Sequence, residues 1–362
     1  MNQSRLVRNV GRICVITAVL SFAIPVTGAN AGQTASRTAS STTKKTTTYS
    51  AKAARQRKAQ LAKARAAAQA RAATAQAKAL REAQTPRYKF DDTGAIVPDI
   101  RAEAAIIYNP ENGQILWESN SQDQRSIASI TKVMTAVVTL EDSPNLTEAV
   151  VVQRADVRAA STTYLRAGDR VTKEDLLHLL LIASDNAAAR VLARTSSHGA
   201  TGFITRMNEK AIELGLSNTK YADPSGLLAA NVSSAYDMAR LITYVSSNEH
   251  IASVMRKESY SATASRRKIT IRSTNQLVRQ GDVDVQAGKT GFISKAGYCL
   301  ATLLRLPQGG PQVAVVVLGA KSNAGRFWET RHLFNWMASK ASELIGGTPV
   351  EAATATAAAT SK

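Results

Sequence analysis

Ser129-Ile130-Thr131-Lys132 stands immediately before the apolar run Val133-Met134-Thr135-Ala136-Val137-Val138, and everything in the chain that carries chemistry can be arranged around it. The run predicts a helix. Residues three apart share a helix face, so the Lys132 amine can lie over the Ser129 hydroxyl and act as its base, provided it is neutral. A lysine with the ordinary pKa of about 10.4 needs help to be neutral, because only desolvation or a nearby positive pole disfavours the ammonium. A helix start supplies that pole, and its unpaired backbone N–H groups suit an oxyanion.

Ser-x-x-Lys also occurs at Ser41/Lys44, Ser217/Lys220 and Ser265/Lys268, so context must choose among four. Only Ser129 opens a long apolar helix and has Ser184-Asp185-Asn186 and Lys289-Thr290-Gly291 downstream, 55 and 160 residues on. Lys-Thr-Gly occurs once. The leucine-rich segment 176–182, preceded by Thr172-Lys173-Glu174-Asp175 as a capping box, predicts a helix ending beside Ser184. Residues 186–193 predict another, which puts Ser184-Asp185-Asn186 on a loop between helices, aimed into a cleft.

The net charge of +19 over 362 residues is unevenly placed. Residues 32–90 hold fourteen basic side chains against Glu82, while the chain after 90 holds 29 basic and 26 acidic ones. A nearly neutral folded part does not ask for a nucleic-acid partner. The two cysteines, Cys14 and Cys299, leave no internal disulfide once a leader is removed. The histidines 178, 198, 250 and 332 fit no metal-ligand spacing, so neither a metal nor any other cofactor is expected.

Residues 1–31 have the parts of a secretory signal: Arg5, Arg8 and Arg12, an apolar run 13–24, then Ala29-Asn30-Ala31, with cleavage expected after Ala31. The run is about a dozen residues, short of the roughly twenty of a membrane span, so no permanent anchor is expected. Residues 32–90 are a low-complexity basic segment in which 51–83 predicts a solvated alanine-rich helix. It reads either as a tether drawn to anionic envelope polymers or as a solvated spacer. A compact domain over 91–345 follows. In it, 102–108 and 114–117 read as a hairpin about Asn112-Gly113, and 283–287, 298–304 and 313–318 as further short strands. Residues 326–345 read as a closing helix and 346–362 as a low-complexity tail.

With the three motifs in place, residues of about 95 to 345 resemble the low-molecular-mass penicillin-binding proteins, the serine D-alanyl-D-alanine carboxypeptidases and endopeptidases of the bacterial wall. Asp223-Pro224-Ser225-Gly226-Leu227, Ser234-Ala235-Tyr236-Asp237-Met238-Ala239-Arg240-Leu241 and Ala296-Gly297-Tyr298 extend the likeness. The resemblance implies an α+β fold of the β-lactamase/transpeptidase type, an antiparallel sheet packed against a helical subdomain. It implies an exported, periplasmic or wall-associated enzyme acting on peptidoglycan stem peptides and acylated by β-lactams. Ser129 is then the nucleophile, Lys132 its proton acceptor, Ser184 the relay to the leaving amine and Asn186 a holder of the substrate amide. Lys289 and Thr290 receive the substrate carboxylate, with Arg326 as a further candidate. The N–H groups of Ser129 and Phe292 form the oxyanion hole, and Gly291 leaves room for a substrate along the strand.

Many carboxypeptidases of this family add a C-terminal β-domain, absent here, so the resemblance leans towards cross-link endopeptidases. A class A β-lactamase should carry a deacylating glutamate in 220–231, where only Asp223 occurs. A silent wall-binding or antibiotic-sensing protein should show a broken motif, and none is broken.

Overall fold

The computed structural model describes residues 43–141 and 145–344; the signal segment and the C-terminal tail lie outside the described residues. The chain divides after Gln69 into two units, each described by itself. Helix α1, Thr43–Gln84, begins in the first unit and ends in the second. From residue 51 on its described side chains are exposed, Leu61 at 61% and Leu80 at 41%. Alanine's helix propensity accounts for the helix; without an apolar stripe it has nothing to bury.

The second unit is built on a five-stranded antiparallel sheet of β1 (Ala104–Tyr108), β2 (Ile115–Ser119), β3 (Asp284–Ile293), β4 (Gly297–Arg305) and β5 (Gln312–Ala320), in spatial order β3-β4-β5-β1-β2. The register sets Lys289 opposite Ala301, Ala301 opposite Val316 and Val316 opposite Ile106. Strand β5 is apolar almost throughout because both of its faces are covered. Ala314, Val316 and Leu318 enter one core, and Val313, Val315 and Val317 enter the other. The two-residue period of a strand divides a continuous hydrophobic run between two layers.

On the second of these faces lies the closing helix α8, Asn323–Leu344, which buries Phe327, Leu333 and Phe334. The first face packs against α6 (Ala235–Ser246) through Met238, Leu241 and Ile242. The same core continues into the helical subdomain of α2 (Lys132–Glu141), α3 (Lys173–Ile182), α4 (Asn186–Arg194) and α5 (Gly199–Glu213), with α7 (Glu249–Arg256) beside them. The predicted hairpin is β1-β2.

Three local readings need correction. Thr172 does cap α3, its hydroxyl accepting from Asp175 N at 3.0 Å, but the Asp175 carboxylate does not return the bond. It accepts instead from Tyr260 Oη and Thr263 N, on the hairpin Ser259–Ala264/Arg267–Arg272. The helix expected over 186–193 is α4 and begins at Asn186, so only Ser184 and Asp185 of that motif lie in the loop, with Asp185 as the cap that accepts from Ala188 N. Ser129 lies in a 3-10 turn, Ala128–Thr131, that runs into α2 at Lys132.

Candidate active site

Three segments far apart in sequence meet at the end of α2. The Lys132 amine lies 3.0 Å from Ser129 Oγ and 2.6 Å from Asn186 Oδ1, and it also contacts the Ser225 carbonyl oxygen. Lys132 is fully buried. Burial is the largest influence on its pKa and brings it to about 7; Asp223 and then Asp185 oppose the fall, while Arg190 adds to it. Two of its partners, the Asn186 and Ser225 oxygens, can only accept. They take the two N–H bonds of a neutral amine and leave its lone pair for the one partner that can donate, the Ser129 hydroxyl.

Asn186 is held from both ends. Its Nδ2 donates to Ala160 O at 2.7 Å while its Oδ1 receives Lys132, and the residue is buried. The amide is thus fixed beside the Lys132 amine, with a second Nδ2 hydrogen beyond the one given to Ala160. Asp185, just before it, accepts from Tyr164 N, Thr163 Oγ1 and Ala188 N, fastening the 160–165 loop to the start of α4.

Lys289 is delivered by β3, with its Nζ 2.9 Å from Ser184 Oγ and 3.0 Å from Thr290 O. Burial, and then the charges of Lys132 and Arg326, hold its pKa well below the ordinary lysine value. An anionic ligand would stabilise the ammonium there. Thr290 Oγ1 is 2.7 Å from Thr274 Oγ1, and Thr274 N donates to Ile182 O two residues before Ser184. Thr274 thus joins the second and third motifs, a role that an isolated threonine in the sequence does not signal. Arg326 donates to the Gly291 and Cys299 carbonyls and to Asn323 Oδ1, so its guanidinium braces the backbone of β3 and β4.

The backbone of β3 runs against the Ser129 turn. A Cβ placed on Gly291 would stand 2.6 Å from Ile127 O and 3.2 Å from Ser129 N. Contact within the protein therefore requires glycine here, a reason additional to the substrate path expected from the sequence. From the opposite side Gly226, at φ +80°, approaches so closely that a Cβ would be 2.0 Å from Ala128 O. Ala128 at φ 48° and Ser184 at φ 59° are non-glycine residues in the left-handed region, one beside each motif serine or at it. Such strain persists only where the surroundings impose it.

A family model described as D-alanyl-D-alanine carboxypeptidase matches residues 91–322. The chain belongs to this family. It is 32% identical over 249 residues to the D-alanyl-D-alanine endopeptidase of Escherichia coli, covering 68% of this chain and 80% of that protein. Its likeness to the carboxypeptidase DacC of the same organism is 32% over 254 residues, covering 66% of this chain and 62% of that protein. Among solved structures, a Streptomyces DD-transpeptidase superposes with a TM-score of 0.61 at 29% identity, over 66% of this chain and 97% of that one. The α+β transpeptidase-like fold implied by the motifs is therefore the fold observed.

The close approaches bring the first test. Gly226→Ala and Gly291→Ala should each fold yet misplace the Ser129 turn. Since displacements near 1 Å cost about a hundredfold, Ser129 acylation by a penicillin should slow by about that factor. Stopped-flow or mass-resolved acylation rates near wild type would refute the role given to these contacts.

Proposed function

We propose that this family member is a serine D,D-peptidase of peptidoglycan that works through a Ser129 acyl-enzyme with Lys132 as base. One observation carries the reading: Lys132, buried and with its pKa lowered to about 7, has two acceptor-only partners and one hydroxyl partner, Ser129. Neutral Lys132 takes the Ser129 proton as Oγ attacks the D-Ala carbonyl, and the N–H groups of Ser129 and Phe292 receive the developing oxyanion. After the proton transfer the lysine has three N–H bonds for the same three acceptors. The site therefore suits both protonation states without rearrangement.

Collapse of the tetrahedral intermediate breaks the C–N bond, and the proton passes through Ser184 to the departing amine. Lys289, against Ser184 and Thr290, attracts the substrate carboxylate. Water then attacks the acyl-enzyme carbonyl and gives a proton to Lys132; as the Ser129 Oγ–C bond breaks, Lys132 passes that proton to Oγ, which restores the hydroxyl and the neutral amine. Arg326 acts from behind, through Gly291. At like identity the chain covers 78–80% of the endopeptidases of Escherichia coli, Haemophilus influenzae and Pseudomonas aeruginosa and 62–63% of the Escherichia coli carboxypeptidases DacC and DacD, a fuller match that supports testing cross-link cleavage first.

A β-lactamase reading finds no support in the 220–231 loop. Its carboxylate, Asp223, accepts from Ser225 N, Ser225 Oγ, Gly226 N, Leu228 N and Asn231 Nδ2, and has no capacity left to activate a water. Export through the 1–31 segment suits this substrate; among the described residues no helix is long and apolar enough to cross a membrane. The nine lysines and arginines between 52 and 81, all exposed, suit contact with anionic envelope polymers.

The deciding experiment offers the purified protein cross-linked muropeptides and free pentapeptide, with products read by mass. Loss of the cross-link at least about tenfold faster than loss of terminal D-Ala is the expected result; the reverse order would make it a carboxypeptidase, and no product from either would overturn the enzyme. A penicillin should leave a covalent adduct on the peptide containing Ser129, absent in Ser129→Ala and outlasting many peptide turnovers. Steady release of hydrolysed penicillin would instead favour a β-lactamase.

Lys132→Arg should lower kcat/KM about a thousandfold although charge is kept, because guanidinium does not give up its proton. In the wild type the active form is the neutral amine, so kcat/KM should rise with pH through about 7 and level off above it. A flat profile between pH 5.5 and 8 would mean that Lys132 is not the base. Deleting residues 32–87 should leave small-peptide turnover within about twofold, as every motif lies beyond it, while weakening salt-sensitive retention on wall fractions; unchanged retention would make the segment a spacer.

A further inference from the structure

Three successive residues of the loop that follows α5 grip the Ser129 turn and the start of α2. Pro224 O accepts from Thr135 Oγ1 at 2.6 Å, one residue-triplet along α2 from Lys132. Ser225 O receives the Lys132 amine. Gly226 lies against Ala128 O and Ser129 N. What gives this stretch its shape is a single carboxylate. Asp223 Oδ1 accepts from Ser225 N and Ser225 Oγ at 2.6 Å each and Gly226 N at 2.8 Å, and Oδ2 accepts from Leu228 N and Asn231 Nδ2 at 2.7 Å each. Asn231 closes the loop, its Oδ1 accepting from Ala222 N and its backbone oxygen from Ile127 N, two residues before Ser129.

We propose that Asp223 is a positioning residue of the reaction, folding residues 223–228 about its carboxylate so that the Ser225 carbonyl fixes the direction of the Lys132 lone pair towards Ser129. The inference rests on the acyl-enzyme reading above. Without the Ser225 acceptor, a neutral Lys132 could turn an N–H towards Ser129 Oγ and lose its function as base. The charged groups facing Lys132 are Asp223 from this loop, Asp185 and Arg190 from the start and body of α4, and Lys289 from β3. Removing the Asp223 charge takes away the largest influence that favours the ammonium, so the proton should leave Lys132 at lower pH.

The test measures the rate of Ser129 acylation by a penicillin against pH, on the full chain, for wild type, Asp223→Asn and Asn231→Ala. In Asp223→Asn the amide nitrogen replaces an acceptor where two donors point, and the plateau rate should fall about tenfold or more. Its acid limb should also move about one unit lower. Asn231→Ala removes the donor to Asp223 Oδ2 together with the side chain's bonds to Leu228 O, Ala222 N and Asp223 N, and no charge; its plateau should fall with the acid limb in place. A folded Asp223→Asn with the wild-type plateau, or with a lowered plateau and an unmoved limb, would overturn the proposal and leave Asp223 a structural residue. Should that variant not fold, Asn231→Ala decides: a lowered plateau with an unmoved limb supports the role, and a wild-type plateau or a moved limb rejects it. Failure of the wild type itself to form the Ser129 adduct would reject the acyl-enzyme reading instead.

Discussion

A lysine amine buried without a counter-ion in contact is the constraint on which the rest of the structure depends. Desolvating an ammonium is costly, so a buried lysine either loses its proton or finds a complete set of acceptors. Lys132 has both options available: its pKa is brought to about 7, and its three partners match either three N–H bonds or two N–H bonds and a lone pair. Each partner comes from a different segment. The catalytic turn supplies Ser129, α4 supplies Asn186, and the loop shaped by Asp223 supplies Ser225.

Holding those segments together is expensive in backbone conformation, and the cost is concentrated at the site. Ala128, Ala159, Ser161 and Ser184 all occupy the left-handed region without being glycine. Ala159 and Ser161 flank Ala160, whose carbonyl oxygen fixes the Asn186 amide. At Gly226 and Gly291 the chain approaches the Ser129 turn more closely than any Cβ would allow. The stability that permits this lies elsewhere, in a sheet covered on both faces; each fully buried Val, Leu or Ile there is worth roughly 1.5–3 kcal/mol. The strained groups sit at the edge of that sheet and at helix ends, where a rigid scaffold can impose them.

Much of this was legible in the chain. The spacing of Ser129 and Lys132, the lone Lys-Thr-Gly and the apolar segments 133–138, 176–182 and 313–318 identified the elements and the order in which they bear the motifs. The contact of Asn186 with the buried lysine was not legible, because a short amide after a serine shows nothing of its distant neighbours. Only the tertiary structure brings Ala160 O to its Nδ2 and Lys132 to its Oδ1. Gly291 was recognised as necessary, but its closeness to the Ser129 turn was not legible. Thr274 was invisible, since its bonds to Thr290 and Ile182 join points that no local pattern connects.

The sequence by itself determined that the Ser129 hydroxyl and the Lys132 amine would meet, because a helix face places i and i+3 together whatever surrounds them. It also determined that 51–83 would form a helix with nothing to pack, since this follows from local propensity and pattern. Only the tertiary structure decided that Lys132 can be neutral. Burial and the placement of Asp223, Asp185, Asn186 and Ser225 around it are sums over distant segments, and the pKa of a buried group depends on that sum and not on its neighbours in sequence.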